Sequence, residues 1–158
     1  MARVPEGRHR VSHSYISNRL HVVFSTKERR NLIADQAQPK LWAYMVGIGK
    51  NHQLPIAAAG GTEDHIHILL ELPGTIPLSK AVQTLKANSS KWLNETGSRE
   101  FAWQEGYAAF SVSASNVQAV VHYIDHQREH HRKQTFEEEF VELLRKHGVD
   151  YDPKYVFG

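Results

Sequence analysis

The chain has 158 residues and a hydrophobic content of 41%, enough for one packed core and too little for two. It has no cysteine, which excludes disulfide frameworks and thiolate metal sites, and a formal charge of +2 that names no partner by itself. No apolar run approaches a membrane span and no secretory pattern opens the chain, so a single cytoplasmic domain over residues 1–158, without membrane attachment, is expected.

Charge is unevenly spread along that length. Residues 1–30 hold seven Lys and Arg against two Glu, whereas residues 135–158 hold three against six Asp and Glu. Residues 1–14 read as a basic leader, suited to a polyanion or to a solvated, disordered arm. "YISNRLHVVFSTK" (residues 15–27) is apolar and β-branched like a strand, and it runs into the basic loop "KERR". From Asp35 to about His52, Leu41, Tyr44, Met45 and Ile48 recur at helical spacing, with Pro39 close enough to the start to be tolerated. Two strands follow, around Ile56–Ala59 and His65–Leu72, joined through Gly60-Gly61. A helix from about Leu78 turns Ala81, Val82, Leu85 and Leu93 inward and stops at Gly97. "FAWQEGYAAFSVS" (residues 101–113) reads as a strand, and Ser115 or Asn116 caps a helix reaching about Gln134. A last helix is capped by Thr135 with Glu138 three residues on.

The order βαββαβ followed by two helices predicts an α+β, ferredoxin-like domain. Its sheet is antiparallel, helices pack on one side, and a tyrosine-bearing helix lies toward the C-terminus. Such a fold hosts many activities, so function has to come from particular side chains.

Two stretches carry chemistry. In "TEDHIHILLE" (residues 62–71), strand alternation sends His65 and His67 to one face and Ile66, Ile68 and Leu70 to the other. The two imidazoles are then about 7 Å apart along the strand, a pair suited to a shared metal ion or phosphate. A lone histidine pair is weak evidence, because strand histidines are more often hydrogen-bonded structural residues. Asp64 points to the opposite face of a regular strand and stays outside the ligand set. In "NVQAVVHYIDHQREHH", Tyr123 and Gln127 are one turn apart on a helix. His126 and His130 lie near the same face, placed to substitute for Gln127 or relay a proton, or to form a solvated stripe with His122 and His131.

Taken in order, "HIH", "LKANSSKWL", "WQEGYAAFSVS" and "YIDHQ" make the chain similar to the single-tyrosine HUH transposases, the smallest insertion-sequence (IS200-like) type, and to their domesticated REP-associated relatives. The resemblance covers most of residues 16–131. It implies that His65, His67 and Gln127 bind a divalent ion, Mg²⁺ or Mn²⁺, and that Tyr123 is the nucleophile that cuts single-stranded DNA flanked by hairpins. A 5′-phosphotyrosine and a free 3′-hydroxyl would result. It further implies a homodimer in which each tyrosine helix completes the histidine pair of the other subunit. A phenol with a pKa near 10 needs help to react at neutral pH, and a metal-polarised phosphate supplies part of it.

Single-stranded DNA binders combine basic grooves with aromatic platforms. The candidates here are Lys27, Arg29, Arg30, Lys86 and Lys91, the hydroxyls Ser89 and Ser90, and Trp92 or Trp103. Two other classes compete. A non-catalytic nucleic-acid-binding module shares the βαββαβ order, although "HIHILLEL" lacks the aromatic consensus of RNA-recognition strands. A phosphoesterase using His65 and His67 with water as nucleophile would leave Tyr123 dispensable.

Overall fold

The computed structural model describes residues 13–97 and 100–157, so the leader expected over residues 1–14 lies almost wholly outside the described residues. Strand β1 (Arg19–Ser25), helix α1 (Gln38–Asn51), strands β2 (Ile56–Gly61) and β3 (His65–Glu71), helix α2 (Leu78–Thr96) and strand β4 (Ala108–Val112) follow in the predicted βαββαβ order. The strands form one four-stranded sheet in the order β2-β3-β1-β4, and every neighbouring pair is antiparallel.

Period-two alternation sorts the two faces. Val22 and Phe24 of β1 and Ile66, Ile68 and Leu70 of β3 are fully buried with Leu41, Met45 and Leu85 from α1 and α2, so both crossover helices cover one face. The other face carries His21, Val23 and Ser25 of β1 with His65, His67 and Leu69 of β3, all buried too. It therefore needs a cover of its own. Helix α3 (Val117–Asp125) supplies part of it, placing Ile124 against Ala58 and Leu69. Helix α5 (Phe136–Lys146) supplies the rest, with Phe136, Phe140 and Leu144 on Val23, Ala108 and Phe110. The side chain of Thr135 accepts a hydrogen bond from the Glu138 amide at 3.2 Å and caps α5, a contact typically worth about 1 kcal/mol.

Gly60 sets how closely α3 approaches. It pairs with His67 across the sheet, and a Cβ there would sit 2.5 Å from the carbonyl oxygen of Ile124. Only glycine lets the tyrosine-bearing helix lie this near the histidine strand.

Two local departures from the sequence reading have side-chain causes. The strand expected over residues 101–113 is confined to Ala108–Val112; Trp103 makes only an isolated bridge to Thr26, and its indole N–H turns inward to donate to Ser89 Oγ at 2.9 Å. The long helix expected to reach Gln134 breaks at His126 into α3 and the short α4 (Gln127–His130). There His126 Nδ1 donates to the carbonyl of His122 (2.7 Å), and the Gln127 amide donates to that of Tyr123 (3.2 Å). Side chains thus take carbonyls that backbone amides would hold in a continuous helix.

Candidate active site

The two strand histidines lie side by side, ring centroids 5.1 Å apart, and neither has solvent exposure. Each ring is fixed from outside. His65 Nδ1 donates to Asp64 Oδ1 at 2.7 Å, with Thr62 Oγ1 3.1 Å away, so Asp64 orients the ring although it stands just before the strand. Burial alone would raise the Asp64 pKa, but the hydrogen bond and charge of His65 outweigh it and hold the group below its ordinary value. His67 Nδ1 meets His21 Nε2 at 2.8 Å. Burial first, then mutual repulsion, lowers His21 to about 3. Burial likewise lowers His67 to about 4, against the pull of Glu139. Both rings are held neutral, and neutral imidazole is the form that binds metal.

The C-terminal helices close over this pair. Gln127, buried, places Oε1 at 3.1 Å from His65 Nε2. The tyrosine ring packs edge-on against His67, centroids 5.6 Å apart. Its hydroxyl donates to Glu139 Oε2 through a short hydrogen bond and lies 3.4 Å from His130 Nε2. Burial, then the adjacent Glu139 carboxylate, raises the Tyr123 pKa above its ordinary value. Glu139 is buried and accepts from His67 Nε2 at 2.9 Å and from His131 Nε2 at 3.1 Å. Its burial favours the neutral acid, yet the hydrogen bonds from His131 and His67 hold it far below the usual carboxylate range. One ligand atom from each of His65, His67, His131 and Glu139 falls within a 4.8 Å cluster, a group able to hold a divalent metal.

Four of the residues singled out in the sequence meet here: His65, His67, Tyr123 and Gln127. His130 reaches the tyrosine hydroxyl, whereas His126 is exposed and stacks on His122, ring centroids 3.9 Å apart. Sequence reasoning missed Glu139 and assigned His131 to a solvated stripe. A signal for Glu139 was present. Phe136, Glu139, Phe140, Leu143 and Leu144 share one helical stripe, which puts a carboxylate on the buried face of α5.

The family model described as "Transposase IS200 like" matches residues 14–127. The chain belongs to the IS200-like transposase family. The transposase of insertion element IS200 from Salmonella typhimurium strain LT2 is 29% identical over 127 residues, covering 75% of this chain and 82% of that protein. An IS200 transposase from Salmonella typhi matches equally well, at 29% identity. Among solved structures, a protein assigned as a transposase from Deinococcus radiodurans R1 superposes with a TM-score of 0.59 at 20% identity, covering 75% of this chain and 98% of that one. A REP-associated tyrosine transposase bound to a REP hairpin gives 0.55 at 19% identity, covering 78% and 74%. The matched region of this IS200-like transposase ends at Gln127, so His131 and Glu139 lie beyond it. Among its described residues, no helix is long and apolar enough to cross a membrane.

The basic and aromatic candidates of this IS200-like transposase divide by what they touch. Lys27, Arg30 and Lys91 are exposed. Arg29 pairs with Glu137 at 3.0 Å, donates to the Phe157 carbonyl at 2.8 Å and stacks on the Phe157 ring. Lys86 gives its ammonium to the carbonyls of Gln104 (2.8 Å) and Gly106 (2.5 Å) over the ring of Phe24, and burial lowers its pKa. Ser89 is buried between Trp103 and the Leu85 carbonyl, and Ser90 lies 3.5 Å from the carbonyl of Phe101. Trp103 is a core residue, and Trp92 stacks on Tyr44, centroids 4.4 Å apart. A cleft of about 720 Å³ opens instead beside Tyr123, lined by His122, His126, His130, Arg132 and Lys133 among others.

Lys86 thus ties the loop before β4 to α2. Lys86→Met is expected to lower folding stability by about 1–3 kcal/mol, as loss of a half-buried ammonium with two acceptors should. Denaturant titration measures that loss. The salt slope of DNA binding should not change, since loss of a phosphate contact would reduce it by about one unit.

Proposed function

We propose that this IS200-like transposase is a metal-dependent enzyme, acting as a single domain in the cytoplasm, that cuts and rejoins hairpin-flanked single-stranded DNA through a 5′-phosphotyrosine on Tyr123. The observation that carries the reading is the convergence of Tyr123 and Gln127 on the buried His65–His67 pair. His65, His67 and Gln127 fit a divalent ion chemically: two imidazoles and an amide oxygen, with outer partners that orient both rings. Bound there, Mg²⁺ or Mn²⁺ supplies Lewis-acid stabilisation of the scissile phosphate.

The chain's own groups do the rest. The Tyr123 oxygen attacks phosphorus, the bond to the 3′-oxygen breaks, and the phenol's proton ends on the released 3′-hydroxyl. The phosphotyrosine retains the ester bond energy, so a second 3′-hydroxyl can reverse the step on a new strand without a nucleotide cofactor. Glu139 and His130 hold the phenol beside the histidines, and the cleft beside it, lined by Arg132 and Lys133 together with Glu129 and Glu138, gives a strand access to it with two cations for its phosphates. Lys27, Arg30 and Lys91 remain the exposed candidates for further phosphate contacts. The structure of the REP-associated relative with its hairpin supports hairpin DNA as the substrate class. A domesticated role, processing repeated palindromes, uses the same chemistry.

The enzyme acts as a homodimer in which the tyrosine-bearing helix of each subunit completes the histidine pair of the other, exchange of that helix leaving the same residues in contact. Mixing Tyr123→Phe subunits with His65→Ala/His67→Ala subunits as a verified, differently tagged dimer should then give an adduct on the tyrosine-bearing chain. No adduct from such a dimer, beside an active wild-type control, would establish a site completed in cis instead. The function itself is tested with labelled single-stranded hairpin DNA and duplex of the same sequence, in Mg²⁺ or Mn²⁺. A protein-linked product from the hairpin strand alone is expected, and no covalent product from either would overturn the reading.

A further inference from the structure

We propose that His131 and Glu139 are metal ligands in this protein and complete, with His65, His67 and Gln127, a centre of three imidazoles, one carboxylate and one amide oxygen. Such a set suits a transition cation of the Mn²⁺ to Zn²⁺ series better than Mg²⁺, which prefers an all-oxygen shell. The inference rests on the metal-dependent reading above and extends it to a segment beyond the family match, which ends at Gln127.

Three observations carry it. The first is that all three rings turn Nε2 toward Glu139 Oε1, while the other nitrogen of each strand histidine is engaged outside, His65 by Asp64 and His67 by His21. Metal-binding histidines are oriented in this way.

The second concerns charge and lone pairs. With its Nδ1–H given to Asp64, His65 faces the Gln127 oxygen with Nε2, and that oxygen is turned inward because the Gln127 nitrogen donates to the Tyr123 carbonyl. Gln127 Oε1 lies 3.1 Å from His65 Nε2 and 3.0 Å from His131 Nε2, so a cation held between these rings meets the amide oxygen as well. Among the described residues, the ion-pair partners of the buried Glu139 carboxylate are all histidines, with no Lys or Arg. Buried charges of this kind are paired or coordinate metals.

The third is spacing. Glu139 Oε1 lies 2.9 Å from His67 Nε2, 3.1 Å from His131 Nε2 and 3.6 Å from His65 Nε2. Ligand atoms around an ion with bonds of about 2.1 Å are separated by roughly 3.0–3.4 Å. Glu139 Oε2 meanwhile holds the Tyr123 hydroxyl, so one carboxylate links the nucleophile to the centre.

The test starts from full-length protein dialysed against chelator. Calorimetric titration of the wild type should show Mn²⁺ bound at least about tenfold more tightly than Mg²⁺. Glu139→Gln and His131→Gln should each weaken Mn²⁺ by at least the ~10–100-fold that loss of even an outer partner costs. Co²⁺-loaded wild type should show three hyperfine-shifted imidazole N–H protons by NMR, a count that does not depend on either variant folding. Variants that bind Mn²⁺ like the wild type, or two shifted imidazoles rather than three, would overturn the proposal while leaving a His65–His67–Gln127 site standing. If wild-type protein takes up no ion, the metal-dependent reading falls together with it.

Discussion

Tyr123→Phe is expected to abolish the covalent DNA adduct, a loss of at least about 10³-fold, while hairpin binding persists. The substitution removes one oxygen. The ring keeps its edge contacts with His67 and His130, and Glu139 keeps its hydrogen bonds from His67 and His131. What disappears is the attacking atom, together with a donor to a buried carboxylate, for which a stability cost of about 1–3 kcal/mol is expected. Gel-shift affinity, thermal unfolding and adduct formation separate these effects. Adduct formation that survives Tyr123→Phe would remove Tyr123 from the mechanism.

The second large effect belongs to the histidine pair. His65→Ala or His67→Ala should reduce cleavage by at least about 10²-fold, and chelation of the wild type should do the same, with recovery on adding Mn²⁺ or Mg²⁺. The two positions differ in what they leave behind. Loss of His65 strands Asp64 without its ring N–H, whereas loss of His67 removes a donor to Glu139 and the partner of His21. Circular dichroism of each variant identifies any loss of fold. Undiminished cleavage in a folded variant, or in excess chelator, would contradict a role for the pair.

The sequence exposes most of what places these groups. Alternation in β3 separates His65 and His67 from Ile66, Ile68 and Leu70 because period two leaves no other choice, and the crossover helices are visible in the spacing of Leu41, Met45, Leu85 and Leu93. The helix break at His126 is not visible that way. It comes from two side chains capturing carbonyls, and helical propensity says nothing about such competition. Lys86 and Ser89 look like phosphate contacts in a linear motif, yet their partners are carbonyls, an indole and an aromatic ring brought near by tertiary packing. Glu139 sits in a run of three glutamates that resembles a solvated first turn. Only its register with Phe136 and Phe140, against the face of the sheet that holds the histidines, reveals a buried carboxylate.

That face also explains why two layers of helices are needed. A sheet with one apolar side and one side of buried histidines cannot leave the second to water without losing the fixed orientation of the rings. Helices α3 and α5 cover it, and in covering it they deliver Tyr123 and Glu139.

The proposed strand transfer requires a bond between Tyr123 and the 5′-phosphate of the cut strand. Wild-type protein reacted with single-stranded hairpin DNA, digested with nuclease and trypsin and mapped by tandem mass spectrometry, should give one modified peptide carrying a 5′-linked nucleotide on Tyr123. A link on another residue, or to the 3′ side of the break, would contradict it.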